Sequence, residues 1–132
     1  MVNDTISDFI TRIRNAVLVR HKIIETPLTK MTISIAENLQ LEGLIERFEV
    51  FLNSSHKSLL IFLKYKNGGR KPTISFLKRI SKPGRRIYIN KKNFPQIINT
   101  YGIAILSTSL GIITDKKARL FNIGGEILFY IY

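Results

Sequence analysis

Two short stretches hold the residues best suited to chemistry. The first is Lys78-Arg79-Ile80-Ser81-Lys82-Pro83-Gly84-Arg85-Arg86-Ile87-Tyr88. Its cations crowd around a Pro-Gly turn and lead into an aromatic residue. Guanidinium and ammonium groups neutralise phosphates, and an aromatic face on a strand can stack on an unpaired base. This is binding chemistry, directed at RNA through Lys82, Arg85, Arg86 and Tyr88. Cross-strand packing is the competing role for Tyr88. The second stretch is Ser107-Thr108-Ser109-Leu110-Gly111, set between two apolar runs. Three successive hydroxyls donate and accept without bulk, and Gly111 permits a tight backbone. Such a loop can enter the shallow minor groove of an RNA helix and touch 2′-hydroxyls and base edges. A polar hairpin loop with no further role has the same composition.

Catalytic signatures are missing. Asn67-Gly68-Gly69-Arg70-Lys71 has neither the spacing nor the following helix of a phosphate-binding loop. His21 and His56 stand alone, with no second ligand at metal-binding spacing. Ser107 and Ser109 have no nucleophile elbow around them. The chain has no cysteine, which excludes disulfides, thiolate zinc sites and thiol catalysis. No catalytic residue, metal, cofactor or small-molecule substrate is expected.

The charge distribution points the same way as the cationic loop. The chain has 132 residues, is 45% hydrophobic and carries a formal net charge of +12. No acidic residue lies between Glu49 and Asp115, and that segment holds twelve of the 21 Lys and Arg. The remainder balances at nine basic and nine acidic residues. One continuous segment therefore supplies the whole imbalance, the footprint of a polyphosphate partner. No apolar run approaches the roughly 20 residues that span a bilayer. An anionic membrane surface would call for a basic amphipathic helix, whereas these cations fall on strands and turns. Met1-Val2-Asn3-Asp4 does not read as an import signal.

The elements that must position these residues read as an α+β chain of two small lobes. Ile6, Phe9, Ile10, Ile13 and Val17 recur at three- and four-residue steps, which predicts an amphipathic helix over 4–19 capped by Asn3 or Asp4. A short strand at Ile23-Ile24 ends in a turn at Pro27-Leu28. A second helix is expected over 30–42, with Thr29 as its cap, Gly43 as its stop, and Met31, Ile35 and Leu39 inward. Strands over 44–52 and 58–65 pair through Asn53-Ser54-Ser55. The N-terminal lobe is thus α-β-α-β-β over 1–66. A Gly-rich linker over 67–72 follows, then a mainly β lobe with a short helix over 73–132. Within the latter, 73–80 and 86–90 are expected to form a hairpin about Ser81-Lys82-Pro83-Gly84. One or two helical turns are expected over 95–100, and strands over 103–106 and 112–114. Asp115 should cap a helix over 116–122 that Gly124-Gly125 stops, before a last strand over 126–132.

These residues also carry a resemblance. Ile103-Ala104-Ile105-Leu106-Ser107-Thr108-Ser109, Gly111-Ile112-Ile113-Thr114-Asp115, Lys117-Ala118-Arg119 and Gly124-Gly125-Glu126-Ile127-Leu128 closely resemble the C-terminal signature of the small-subunit ribosomal protein S-eight family. Arg79-Ile80-Ser81-Lys82-Pro83-Gly84 with Arg86-Ile87-Tyr88 is similar to the family's central turn. Asp8 with Thr11-Arg12-Ile13-Arg14-Asn15-Ala16 is similar to its first helix, and Glu42-Gly43 with Ile45 to the end of its second. The likeness spans essentially the whole chain in the right order.

The resemblance implies a two-lobe α+β structural protein that binds the central domain of small-subunit rRNA and sits among other small-subunit proteins. It implies an RNA surface made of Ser107, Thr108, Ser109, Tyr88 and Glu126, with a second area on the first helix at Arg14 and Asn15. Glu126 would serve as an acceptor that orients hydroxyls or base amino groups; an ion pair within the lobe is the alternative. The chain departs from the family at Leu110, where Lys or Arg is usual, so one phosphate partner is missing and Arg85 or Arg86 is expected to compensate. Some bacterial members also bind their own messenger, a role this sequence neither requires nor excludes. Asn3-Asp4-Thr5-Ile6 resembles plastid members, and the Ile-, Lys-, Asn- and Phe-rich composition suits an AT-rich genome. A plastid ribosome is the expected location, with the cytoplasm of an AT-rich bacterium as the alternative.

Overall fold

The computed structural model describes residues 5–90 and 102–132. The caps expected at Asn3 or Asp4, the helical turns expected over 95–100, and Lys91 and Lys92 lie outside them. The chain is mixed α+β and divides into two compact units, Asn3–Ser75 and Phe76–Tyr132.

In the first unit α1 (Thr5–Leu18) buries Ile6, Phe9, Ile10, Ile13 and Ala16. Val17, expected in that stripe, is only half-buried. The 3.6-residue period brings Ala16 to the centre of the face instead. β1 (Ile23–Pro27) leads to α2 (Lys30–Leu41), whose start is a reciprocal capping box. The Thr29 hydroxyl accepts from the Thr32 amide and the Thr32 hydroxyl from the Thr29 amide, both at 3.0 Å. Two otherwise orphaned donors are thereby satisfied. Gly43, at φ +75°, ends the helix in the left-handed region where a side chain would strain. β2 (Ile45–Leu52) and β3 (Lys57–Leu63) complete an antiparallel sheet in the order β1-β3-β2. β3 is central, and Leu59, Ile61 and Leu63 on one face are fully buried. Each such side chain withdrawn from water stabilises the unit by about 1.5–3 kcal/mol. The stretch 67–72 forms the turn and return strand of a small hairpin, β4 (Tyr65–Lys66) with β5 (Lys71–Pro72). Asn67, Gly68 and Gly69 all take positive φ there.

The second unit is built around its last strand. β6 (Leu77–Arg79), β7 (Tyr88–Ile89), β8 (Ile103–Thr108), β9 (Gly111–Thr114) and β10 (Gly125–Ile131) form one sheet. Its order is β6-β10-β8-β9, with β7 also on β10. The hairpin expected between 73–80 and 86–90 does not form. Both β6 and β7 pair antiparallel with β10, Leu77 to Arg79 against Ile131 to Phe129, and Tyr88 and Ile89 against Glu126 and Gly125. They lie in series along one edge of β10. The chain runs up that edge, leaves it for a short excursion, and returns to the same edge. A long apolar partner strand competed with the local turn and won, because it offers more backbone bonds and a buried face.

α3 (Asp115–Phe121) is capped by Thr114, whose hydroxyl accepts from the Lys117 amide at 3.2 Å. Asp115 is therefore not the cap that its position suggests. It is buried at 3% exposure, and its carboxylate accepts from the Ala104 amide of β8 at 2.9 Å. Burial pushes its carboxyl above the ordinary range, with the Ala104 hydrogen bond opposing. Ile89, Ala104, Leu106, Ile113, Ala118 and Ile127 form the core beneath the sheet.

Candidate nucleic-acid interface

Strand alternation decides which residues of the second unit face outward. Ile127 stands opposite Leu106, and Leu106 opposite Ile113, so this row points into the core. The adjoining row must point the other way. It runs across four strands: Tyr88 of β7 opposite Glu126 of β10, Glu126 opposite Ser107 of β8, and Ser107 opposite Ile112 of β9. Three residues 38 positions apart in the chain at their extremes, Tyr88, Ser107 and Glu126, thus become neighbours on one face. Tyr88 is 67% exposed, which rules out packing within the unit as its main role.

Two glycines allow this row to close up. A side chain at Gly124 would collide with the Ile89 carbonyl, and one at Gly125 with the Ser107 carbonyl and the Thr108 methyl. From sequence, Gly124-Gly125 reads only as a helix stop. Asn122 takes the left-handed conformation after α3, at φ 57°. The glycines serve strand approach instead, a signal that a Gly pair just before an apolar run can give.

Ser109 and Leu110 make the turn between β8 and β9, closed by the pair Thr108 and Gly111, with Gly111 at φ +101°. The Thr108 hydroxyl donates to the Gly111 carbonyl at 2.8 Å and accepts from the Leu110 amide at 3.1 Å. It is spent on shaping the turn. Ser109 is exposed at the tip and Ser107 is partly open on the row, so these two hydroxyls face outward. Leu110 is 60% exposed.

The excursion between β6 and β7 carries the cations. It is clasped at its base by Ser81, a residue that nothing in the sequence marks out. The buried Ser81 hydroxyl accepts from the Ile87 amide at 2.9 Å and donates to the Ile87 carbonyl at 3.2 Å. On either side the ladder to β10 continues, through the Ile80 amide to Leu128 at 3.2 Å and the Ile127 amide to Ile87 at 2.9 Å. Further out, Lys82 and Arg85 exchange backbone bonds at 2.9 and 3.0 Å. Lys82 and Arg85 are exposed, and no ion pair among the described residues engages their side chains. Arg86 differs. Its Nη1 donates to Glu126 Oε2 at 3.0 Å, where the Glu126 side chain is 14% exposed. Arg86 thus neutralises and fixes the carboxylate of the row, and of the two arginines only Arg85 is left to make up for Leu110.

Arg14 and Asn15 are exposed on α1 of the first unit. Arg12, one turn away, pairs with Asp8 at 2.8 Å and donates to the Glu25 carbonyl at 2.6 Å. No helix among the described residues is long and apolar enough to cross a membrane. No group of three metal-ligating side chains occurs among the described residues.

The model for Ribosomal protein S8 matches residues 4–132. The chain belongs to the ribosomal protein S8 family. Members of this family are structural, non-enzymatic proteins, so the chain is not an enzyme. Among relatives, the small ribosomal subunit protein uS8c of Rhodomonas salina is 52% identical over 132 residues, covering the whole of both chains. The uS8c of Phaeodactylum tricornutum is also 52% identical over 132 residues and full coverage. The small ribosomal subunit protein uS8 of Rippkaea orientalis is 55% identical over 130 residues, 98% of each chain.

Proposed function

We propose that this chain is a structural constituent of the small ribosomal subunit that binds the central domain of small-subunit rRNA directly and so supports subunit assembly and translation. The observation that carries the reading is the row Tyr88–Glu126–Ser107. It sets an exposed aromatic, a held carboxylate and a hydroxyl side by side on one sheet face, beside the Ser109 tip. Tyr88 offers a stacking surface for an unpaired base. Ser107 and Ser109 supply hydrogen bonds to 2′-hydroxyls and base edges. Glu126, fixed by Arg86, accepts from amino or hydroxyl groups, while Lys82 and Arg85 provide sequence-independent attraction to phosphate. Thr108 and Gly111 shape the tip, and Arg14 and Asn15 on α1 form a second contact area. Relatives with the c suffix are plastid-encoded, and the AT-rich character of the sequence agrees, so a plastid ribosome is the proposed location.

The test is a filter-binding titration across a salt series, against a central-domain rRNA hairpin and a scrambled duplex of equal length. Tight binding to the hairpin alone that survives moderate salt is the expected result. Equal, salt-labile binding to both RNAs would leave only a polyanion-binding protein.

A further inference from the structure

The three-stranded sheet of the first unit has two faces, and only one is covered. Ile24, Leu59, Ile61 and Ile45 point to the buried side and are 8% exposed or less. The register puts a different set on the opposite face. Ile23 stands opposite Phe62, and Glu25 opposite Leu60, from β1; Arg47, Glu49 and Phe51 of β2 stand opposite Phe62, Leu60 and Ser58. This second face has an apolar centre at Leu60 and Phe62, with Ile23 48% and Phe51 44% exposed at its margins.

Its charges are unlike those of the rest of the chain. Glu25 and Glu49 flank Leu60 from either side. The one arginine, Arg47, is engaged twice: Nη1 is 2.8 Å from Glu49 Oε2, and the guanidinium lies 3.9 Å above the Phe62 ring. His56 reaches Glu25 at 3.0 Å and meets Phe51 edge-on. That hydrogen bond holds the Glu25 carboxyl below its ordinary range. With His56 neutral, the face carries a net charge of −1 from Glu25, Glu49 and Arg47, on a chain whose formal net charge is +12. Glu46 adds an exposed carboxylate in the bulge beside Arg47. An apolar centre rimmed by carboxylates repels a phosphate backbone and attracts cationic side chains on an apolar scaffold.

We infer that the outer face of the β1-β3-β2 sheet is a protein-docking surface, taking a cationic segment of another small-subunit protein rather than RNA. The inference rests on the ribosomal reading above. It assigns different macromolecules to the two exposed sheet faces: RNA to the row through Tyr88 and Ser107, a basic protein to the face through Leu60 and Phe62.

The chain has no cysteine, so single cysteines can report on each face. Full-length Phe51→Cys and Ser109→Cys, each labelled with a benzophenone maleimide, would be assembled into purified small subunits and irradiated. The adducts would be identified by mass spectrometry. The expected result is a Phe51 adduct to a Lys/Arg-rich peptide of another subunit protein and a Ser109 adduct to rRNA. Adding Glu25→Gln and Glu49→Gln to Phe51→Cys should lower the protein adduct several-fold while incorporation continues. A Phe51 adduct to rRNA, or no Phe51 adduct while Ser109 still reaches rRNA, overturns the docking surface and leaves the ribosomal reading standing. Failure of soluble, folded protein of both labelled variants and of the unsubstituted chain to enter the subunit overturns the ribosomal reading, and the docking surface with it.

Discussion

Asp115 shows how far one side chain can depart from the role its neighbours suggest. Its carboxylate joins α3 to β8 by accepting from the Ala104 amide inside the unit. Asp115→Ala would leave that donor buried and unpaired, which should lower stability by about 1–3 kcal/mol, read as a shift in urea midpoint. Asp115→Asn keeps an acceptor and should cost less. Because burial raises the Asp115 carboxyl above its ordinary value near 3.8, the fold holds the proton more tightly than the unfolded chain. Stability relative to Asp115→Asn should therefore fall as pH rises from that ordinary value through the raised one, then level off. A difference that grew with pH would contradict the assignment. Tyr88 gives the converse case, a large side chain that does little for the fold. Tyr88→Ala should weaken hairpin binding by about 1–3 kcal/mol, the usual worth of base stacking. Its melting temperature should stay near that of the unsubstituted chain, since the ring is 67% exposed.

At the scale of elements, the clasped excursion between β6 and β7 is the most informative feature. Ser81→Ala removes both hydrogen bonds to Ile87 and should cost about 1 kcal/mol. The more diagnostic effect is local: hydrogen exchange at the Ile87 amide should speed up while the amides of β8 stay protected. Uniform acceleration across the sheet would mean that the clasp does not act locally. The sequence could not show this device, because the strand that holds both ends of the excursion lies some forty residues further on. What sequence did show was local. The apolar stripe of α1, the Thr29 cap, the β2–β3 pairing and the β8–β9 turn all depend on residues a few positions apart. The candidate site was legible as a set of residue types and through family likeness, and its members fell where strand alternation allows them to meet. Their juxtaposition was not legible, since the pairings through β10 are non-local. The Arg86–Glu126 pair was open for the same reason, and only the fold turns Arg86 from a phosphate partner into the partner of a carboxylate.

Over the whole molecule, charge is segregated along the chain. Seven of the nine acidic residues precede residue 50, and the segment from there to Asp115 has none. Under the proposed function, Lys82 and Arg85 give affinity without sequence preference. Replacing both with Ala should weaken hairpin and scrambled duplex alike. It should also flatten the salt dependence by roughly 0.7–0.9 for each phosphate no longer neutralised, the steeper value applying to duplex DNA. Arg86→Ala should behave differently. It frees the Glu126 carboxylate, so hairpin binding should suffer more than duplex binding. Identical effects of Arg85→Ala and Arg86→Ala on both RNAs would argue that Arg86 acts as a simple cation after all.

The placement of the cationic excursion has a consequence for how such a protein can diversify. A loop joining two neighbouring strands sets their register, so inserting or deleting a residue there displaces a whole strand. This excursion instead leaves one edge of β10 and comes back to the same edge, with Ser81 and Ile87 fastened to each other. Residues between them can be added, removed or exchanged while β6 and β7 keep their partners. Lineages can then retune this approach to a slowly changing nucleic acid by small edits to Lys82–Arg86, at almost no risk to the architecture beneath.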